Sequence, residues 1–190
     1  MIKYDVAENE KGILEVYYDD SSENPRNWDN LGKMVCFHDK YDLGDKCSND
    51  YKGFSNWTEV EAAIRRDYDI GVIMPLYLYD HTGLAISTAP FHCPWDTRRI
   101  GFIFTTKEDI RKEYGCKYVT KKYRERAKEV LLGELKNYEA YVNGDVFGFI
   151  LKDKEGEIID SCSGFYGLDF KKWMKHEIPE EYVELLDKIA

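Results

Sequence analysis

The side chains best suited to chemistry crowd into one segment, residues 87–99. It holds His92, Cys93, Trp95, Arg98 and Arg99. A thiolate nucleophile needs a base, commonly histidine, and a group to orient that base. Side chains of adjacent residues rarely face each other, so His92 is a poor base for Cys93. His81 or His38 would reach Cys93 only through the fold. The competing reading is a loop pinned by Phe91 and Trp95, with Cys93 as a small apolar filler. Cys93 is the sole candidate nucleophile, and the catalytic residues otherwise stay open. The same cysteine joins Cys36 and His38 as a possible metal ligand, with Cys47 and Cys162 in reserve. Zinc sites are usually announced by Cys-x-x-Cys or His-x-x-x-His spacing. Neither pattern occurs, so the expectation is a protein without a metal or other cofactor.

A second chemistry is ligand binding. Arg26, Trp28, Trp95, Arg98 and Arg99 are aromatic and cationic residues in segments without regular hydrophobic period. Indoles stack on bases and guanidinium groups pair with phosphates. Small residues between Ser161 and Gly167 would let a backbone approach a ligand, or would simply shape a turn. Neither the Gly-x-x-x-x-Gly-Lys phosphate loop nor the Gly-x-Gly-x-x-Gly dinucleotide pattern is present. The carboxylates near loops read as turn and capping residues.

The elements that must position these residues follow from hydrophobic periodicity. Strands are expected at Ile13–Asp19, at Ile70–Tyr79 with a bulge or edge at Pro75, at Leu84–Ala89 and at Ile100–Thr105. Two further strands, Val146–Lys152 and Glu157–Ser163, flank an Asp-Lys-Glu-Gly turn that repeats the chemistry of Asp80-His81-Thr82-Gly83. Leu31–His38 reads as a strand or a short helix. Residues 39–56 form a long polar loop, a kind of segment that often carries function in compact domains. Thr58-Glu59-Val60-Glu61 has capping-box spacing and opens a helix to Asp67. Thr106 caps a short helix over Lys107–Tyr114, which Gly115 stops. The longest helix runs from Thr120 to Val142, with apolar residues stepping by threes and fours. Leu168–Glu177 and Pro179–Ile189 are terminal helices. The expected fold is α+β: one domain over residues 1–190, an antiparallel sheet of about 5–7 strands, and one long helix and shorter helices packed on it.

Composition bounds the partners. The 190 residues include 27 Lys and Arg against 36 Asp and Glu, a net charge of −9. That balance disfavours general binding to a phosphate backbone. It fits a soluble cytoplasmic protein or one that docks on a basic partner. Fifteen tyrosines, several of them (Tyr17, Tyr18, Tyr41, Tyr51, Tyr77, Tyr79) near acidic residues or loops, suit protein recognition. No apolar run is long enough to span a membrane, and the N-terminal residues do not read as a signal peptide. Five cysteines without a secretion signal are expected as reduced thiols.

Four segments taken together resemble a family of small hypothetical proteins carried by bacteriophages and other mobile elements. They are Pro25-Arg26-Asn27-Trp28-Asp29-Asn30-Leu31-Gly32, Leu76–Gly83, Pro90-Phe91-His92-Cys93-Pro94-Trp95-Asp96, and Asp160–Gly167. The likeness covers about residues 25–170 and brings no established activity or residue role with it. It implies a setting: a phage accessory protein that counters host defence in the host cytoplasm. Such a protein would bind and inhibit a component of a nucleic-acid-targeting defence system, of anti-CRISPR or antirestriction type. The alternatives are a small-molecule binder that sequesters a nucleotide immune signal, and a cysteine- or metal-dependent enzyme centred on Cys93. The expected partner is therefore a host defence protein or a nucleotide, with no direct contact to nucleic acid or membrane.

Overall fold

The computed structural model describes residues 2–81, 83–92 and 97–190. Cys93 and Trp95 lie outside the described residues, as does Thr82 of the first hairpin turn. The chain folds as two compact units. The terminal unit comprises Met1–Pro25 and Asn137–Ala190, and the central unit comprises Arg26–Lys136. The class is α+β with antiparallel strands and one long helix, as the periodicity predicts. The strands are shared between two four-stranded sheets, one in each unit.

In the terminal unit the sheet order is β1-β2-β7-β8, with β1 at Ile2–Glu8, β2 at Ile13–Tyr18, β7 at Val146–Lys152 and β8 at Ile158–Tyr166. Alternation decides which face is buried. Leu14 and Val16 of β2 stand opposite Leu151 and Phe149 of β7, and all four are fully buried. Phe170 and Met174 of α4 (Phe170–Glu177) pack on that face, with Leu185 and Leu186 of α5 (Val183–Leu186). Phe147 stacks on Phe170 at 4.1 Å, and Tyr4 meets both rings edge-on. Sequence reasoning missed β1, although Ile2–Val6 alternates apolar and polar residues; its pairing with β2 shifts between Lys3 and Asp5, and the residue it buries is Ala7. The stretch expected as one last helix is a 3-10 turn at Glu180–Tyr182 followed by α5.

In the central unit the sheet order is β3-β6-β4-β5. These strands are β3 (Lys33–Cys36), β4 (Ile70–Asp80), β5 (Leu84–Ser87) and β6 (Thr97–Thr106). Leu31–His38 thus resolves to a strand. β5 pairs only with Tyr77–Asp80, so Pro75 sits where one side of β4 has no strand partner, next to a bulge at Leu76/Tyr77. That is the edge position a residue without an N–H tolerates. One face of the sheet, with Val35, Phe102 and Phe104, is covered by Val60, Ala63 and Ile64 of α1 (Trp57–Asp67). The cap of α1 is Asn56, whose side chain accepts from Glu59 N at 3.0 Å, while Glu59 reaches back to Ser55 N. The reciprocal pair is shifted two residues from the expected Thr58 and Glu61, because asparagine caps at least as well as threonine. Thr106 caps α2 (Lys107–Tyr114) and Gly115 closes it in the left-handed conformation, both as expected.

Helix α3 (Lys121–Asn143) begins in the central unit and ends in the terminal one. Within the central unit its Leu131 and Glu134 come close to Gly32. A Cβ on Gly32 would lie 2.8 Å from the Glu134 carboxylate and 3.1 Å from Leu131, so a larger residue there would push the carboxylate off the Leu31 and Gly32 N–H groups.

Candidate functional site

The polar loop between β3 and α1 is where the central unit opens. Its floor is set by an ion cluster. Asp45 accepts from Arg26 at 2.8 and 3.0 Å and from Met34 N at 2.7 Å. Arg26 also donates to Gly32 O at 2.6 Å and approaches Glu134 of α3 at 3.4 Å. Glu134 accepts the backbone N–H groups of Leu31 and Gly32. Burial pushes the Glu134 carboxyl up, and the Arg26 guanidinium and those two N–H donors oppose it. Arg26 is only 4% exposed at its side chain. This cluster joins segment 25–32, the loop and α3 through charge-assisted bonds, the strongest kind available to a buried arginine.

The loop lines two cavities that share Phe37 and Lys52, and Asp45 of the cluster lines the second. The first, about 340 Å³, is lined by four aromatic side chains, Phe37, Tyr51, Phe54 and Trp57, and by the backbone leading into α1. Phe37 and Trp57 are stacked, with centroids 6.0 Å apart and 28° between planes, and Tyr51 lies 6.5 Å from Phe54. The indole is braced from behind: Phe102 meets it edge-on at 6.2 Å, and the Arg99 guanidinium lies 5.8 Å from its centroid and 4.5 Å from that of Phe102. Arg99 Nε is buried and has no hydrogen-bond partner among the described residues. Its charge is held against two ring faces, where the quadrupole favours a cation.

The second cavity, about 290 Å³, is polar. His38 stacks on Tyr41 with centroids 5.0 Å apart, and Tyr41 donates to Asp80 at 3.0 Å. Burial and the nearby Arg98 guanidinium push the His38 imidazole down, which favours its neutral form. Arg98 itself pairs with Asp39 at 2.8 Å on the surface.

The residues singled out in the sequence therefore separate. Arg98 and Arg99 do come to the loop, one on its rim and one behind Trp57. Arg26 is engaged beneath it, with no open face for a ligand phosphate. Trp28 is 39% exposed and is not among the residues lining either cavity. Cys36 and His38 both line the second cavity. Among the described residues, no three His, Cys, Asp or Glu side chains come together in a way that could hold a metal ion. Cys36 is 4% exposed and burial pushes its thiol well up from the ordinary range. A thiol so placed is inert: with iodoacetamide at neutral pH, Cys36 in the folded protein should label at least about a hundredfold more slowly than in the unfolded chain, as read by peptide mass spectrometry. Equal rates would show that the loop opens.

Sequence reasoning missed Tyr51, Phe54 and Trp57 as a set. The available signal was their spacing: three aromatic residues at intervals of three in a stretch otherwise made of Lys, Gly, Ser and Asn. No family model, no curated protein and no solved structure matches this chain.

Proposed function

We propose that the central unit is a binding module for a small ligand with a planar ring and an anionic group, of the nucleotide class. The carrying observation is the aromatic cavity. Its volume falls at the lower end of the range for small-molecule sites, and its wall combines the core residue Tyr51 with Phe37 and Trp57, which pack on that core and stay partly exposed, and with the exposed Phe54. A ring laid against Trp57 and Phe37 gains stacking energy. Lys52, at the junction of the two cavities, supplies a cation for the ligand's charged group.

This reading connects to the setting implied by the sequence resemblance. A pocket that captures a nucleotide signal counters a defence system by sequestration. An inhibitor that docks on a defence protein would serve the same end, and the net charge and the resemblance support that alternative. The cavity favours sequestration.

Calorimetry of the full chain against mononucleotides, cyclic dinucleotides and ADP-ribose derivatives tests it. At least one should bind, and Trp57→Ala should weaken it about 10- to 100-fold, the range for loss of one stacked ring. Absence of heat with every compound at millimolar concentration, or a Trp57→Ala variant that binds as well as the parent, would overturn the proposal.

A further inference from the structure

The net charge of −9 averages over a surface that is far from uniform. Between Arg111 and Lys128 the chain carries eight Lys or Arg against two carboxylates, Glu113 and Glu125. This stretch is the end of α2, the connection after it and the first two turns of α3. None of the eight cations forms an ion pair with a carboxylate among the described residues. Elsewhere in the same unit cations are routinely paired: Arg65 with Glu61, Arg98 with Asp39, Lys107 with Asp69. In a protein with an excess of carboxylates, a helical corner left with unneutralised cations is a distinct electrostatic feature.

Aromatic rings interleave with these charges. Tyr114 of α2 stacks on Tyr123 of α3, centroids 5.6 Å apart and 24° between planes, which holds the two helices together at the corner. Arg126 lies 4.7 Å from the Tyr114 centroid. Lys122 stands one turn before Arg126 on the same side of α3, so the two cations are neighbours. Lys117 sits 5.5 Å from the ring of Tyr118, and that residue is 70% exposed.

We propose that this corner binds single-stranded nucleic acid, with Lys117, Lys122 and Arg126 on backbone phosphates and a base stacked on Tyr118. Cations alone would accept any polyanion. The exposed tyrosine beside Lys117 is what selects a strand with unpaired bases, since a base offers a π-face and a carboxylate or a lipid headgroup does not. Net charge alone disfavours broad binding. The chain's charge over residues 111–128 has the opposite sign to the average, and over distances beyond about 10 Å at moderate salt the remaining acidic surface is screened.

The test is fluorescence anisotropy of a labelled oligothymidylate with the full chain, as a function of salt. Binding is expected at about 50 mM salt with a Kd on the order of 10 µM, weakening steeply as salt rises. The double variant Lys122→Glu, Arg126→Glu should bind at least about tenfold more weakly and lower the log–log salt slope by about 1.4, the value for two phosphate contacts on a single strand. Tyr118→Ala should weaken the oligonucleotide about fivefold or more and leave polyglutamate binding unchanged. The double variant Lys154→Glu, Lys175→Glu, at two exposed positions of the terminal unit, makes the same change of net charge and is the control for it. The proposal is overturned by no anisotropy change at low salt, or by a loss in this control equal to that of the Lys122→Glu, Arg126→Glu variant. Polyglutamate binding as tight as the oligonucleotide, with Tyr118→Ala without effect, would also overturn it and would identify a surface for acidic proteins. The probed residues lie outside both cavities, so failure here leaves the nucleotide pocket untouched.

Discussion

Arg26→Ala is expected to destabilise the central unit by about 3–5 kcal/mol, the cost of removing one partner from a buried ion cluster. The arginine is 4% exposed, and its loss leaves Glu134 and Asp45 desolvated with their countercharge gone. It also orphans the Gly32 carbonyl that Arg26 caps. Neutralising the other end separates charge from hydrogen bonding. Glu134→Gln keeps an oxygen for the Leu31 or Gly32 N–H and should cost about 1 kcal/mol, whereas Glu134→Ala should approach about 3 kcal/mol, because buried donors left unmet cost more than a weakened bond. Urea melts of the three variants check the order. If Arg26→Ala melts with the parent, the cluster contributes nothing and segment 25–32 is held by packing alone.

The second large effect is at Phe102, which is 1% exposed, belongs to the core cluster with Val35 and Phe104, and touches Trp57 of the aromatic cavity. Phe102→Ala should cost about 3–5 kcal/mol by cavity formation. It should also remove the edge contact that braces Trp57 and one of the two rings that hold Arg99. Phe102→Leu separates these consequences. Most of the volume is retained, so stability should fall by only about 1–2 kcal/mol. The quadrupole under the guanidinium is lost, so ligand affinity should fall several-fold in a protein that remains folded. Unchanged affinity in Phe102→Leu would show that Trp57 is positioned without help from behind.

How far the sequence disclosed this arrangement depends on whether the signal was local. The α2 caps were legible because Thr106 and Gly115 act on backbone atoms within a few residues. The long helix was legible because period 3.6 over 23 residues has no competing explanation. The division of strands between two sheets was not, since pairing depends on contacts such as Val16 with Phe149, separated by more than half the chain. Arg26 illustrates the same limit within the site. Its type and its loop position pointed to a phosphate ligand, and only the fold shows that Asp45 and Glu134 already occupy it. Residues 39–56 were recognisable as a long polar connection by length and composition, though not the 3-10 turn at Lys46–Tyr51 within it. The aromatic wall within reach of it combines Phe37 from the end of β3, Tyr51 and Phe54 from the loop, and Trp57 from α1. The basic corner was written in the sequence between Arg111 and Lys128. The whole-chain charge concealed it.

The central claim is that a ligand ring lies against Trp57, and the four tryptophans at positions 28, 57, 95 and 173 provide four separate reporters. Their indole N–H resonances, assigned by single Trp→Phe substitutions, can be followed by two-dimensional NMR while the nucleotide panel is titrated. The expected result is a saturable shift of the Trp57 resonance, with those of Trp28 and Trp173 unmoved. A saturable shift at Trp28 or Trp173 with Trp57 unmoved, or no shift at any indole across the panel, would contradict it.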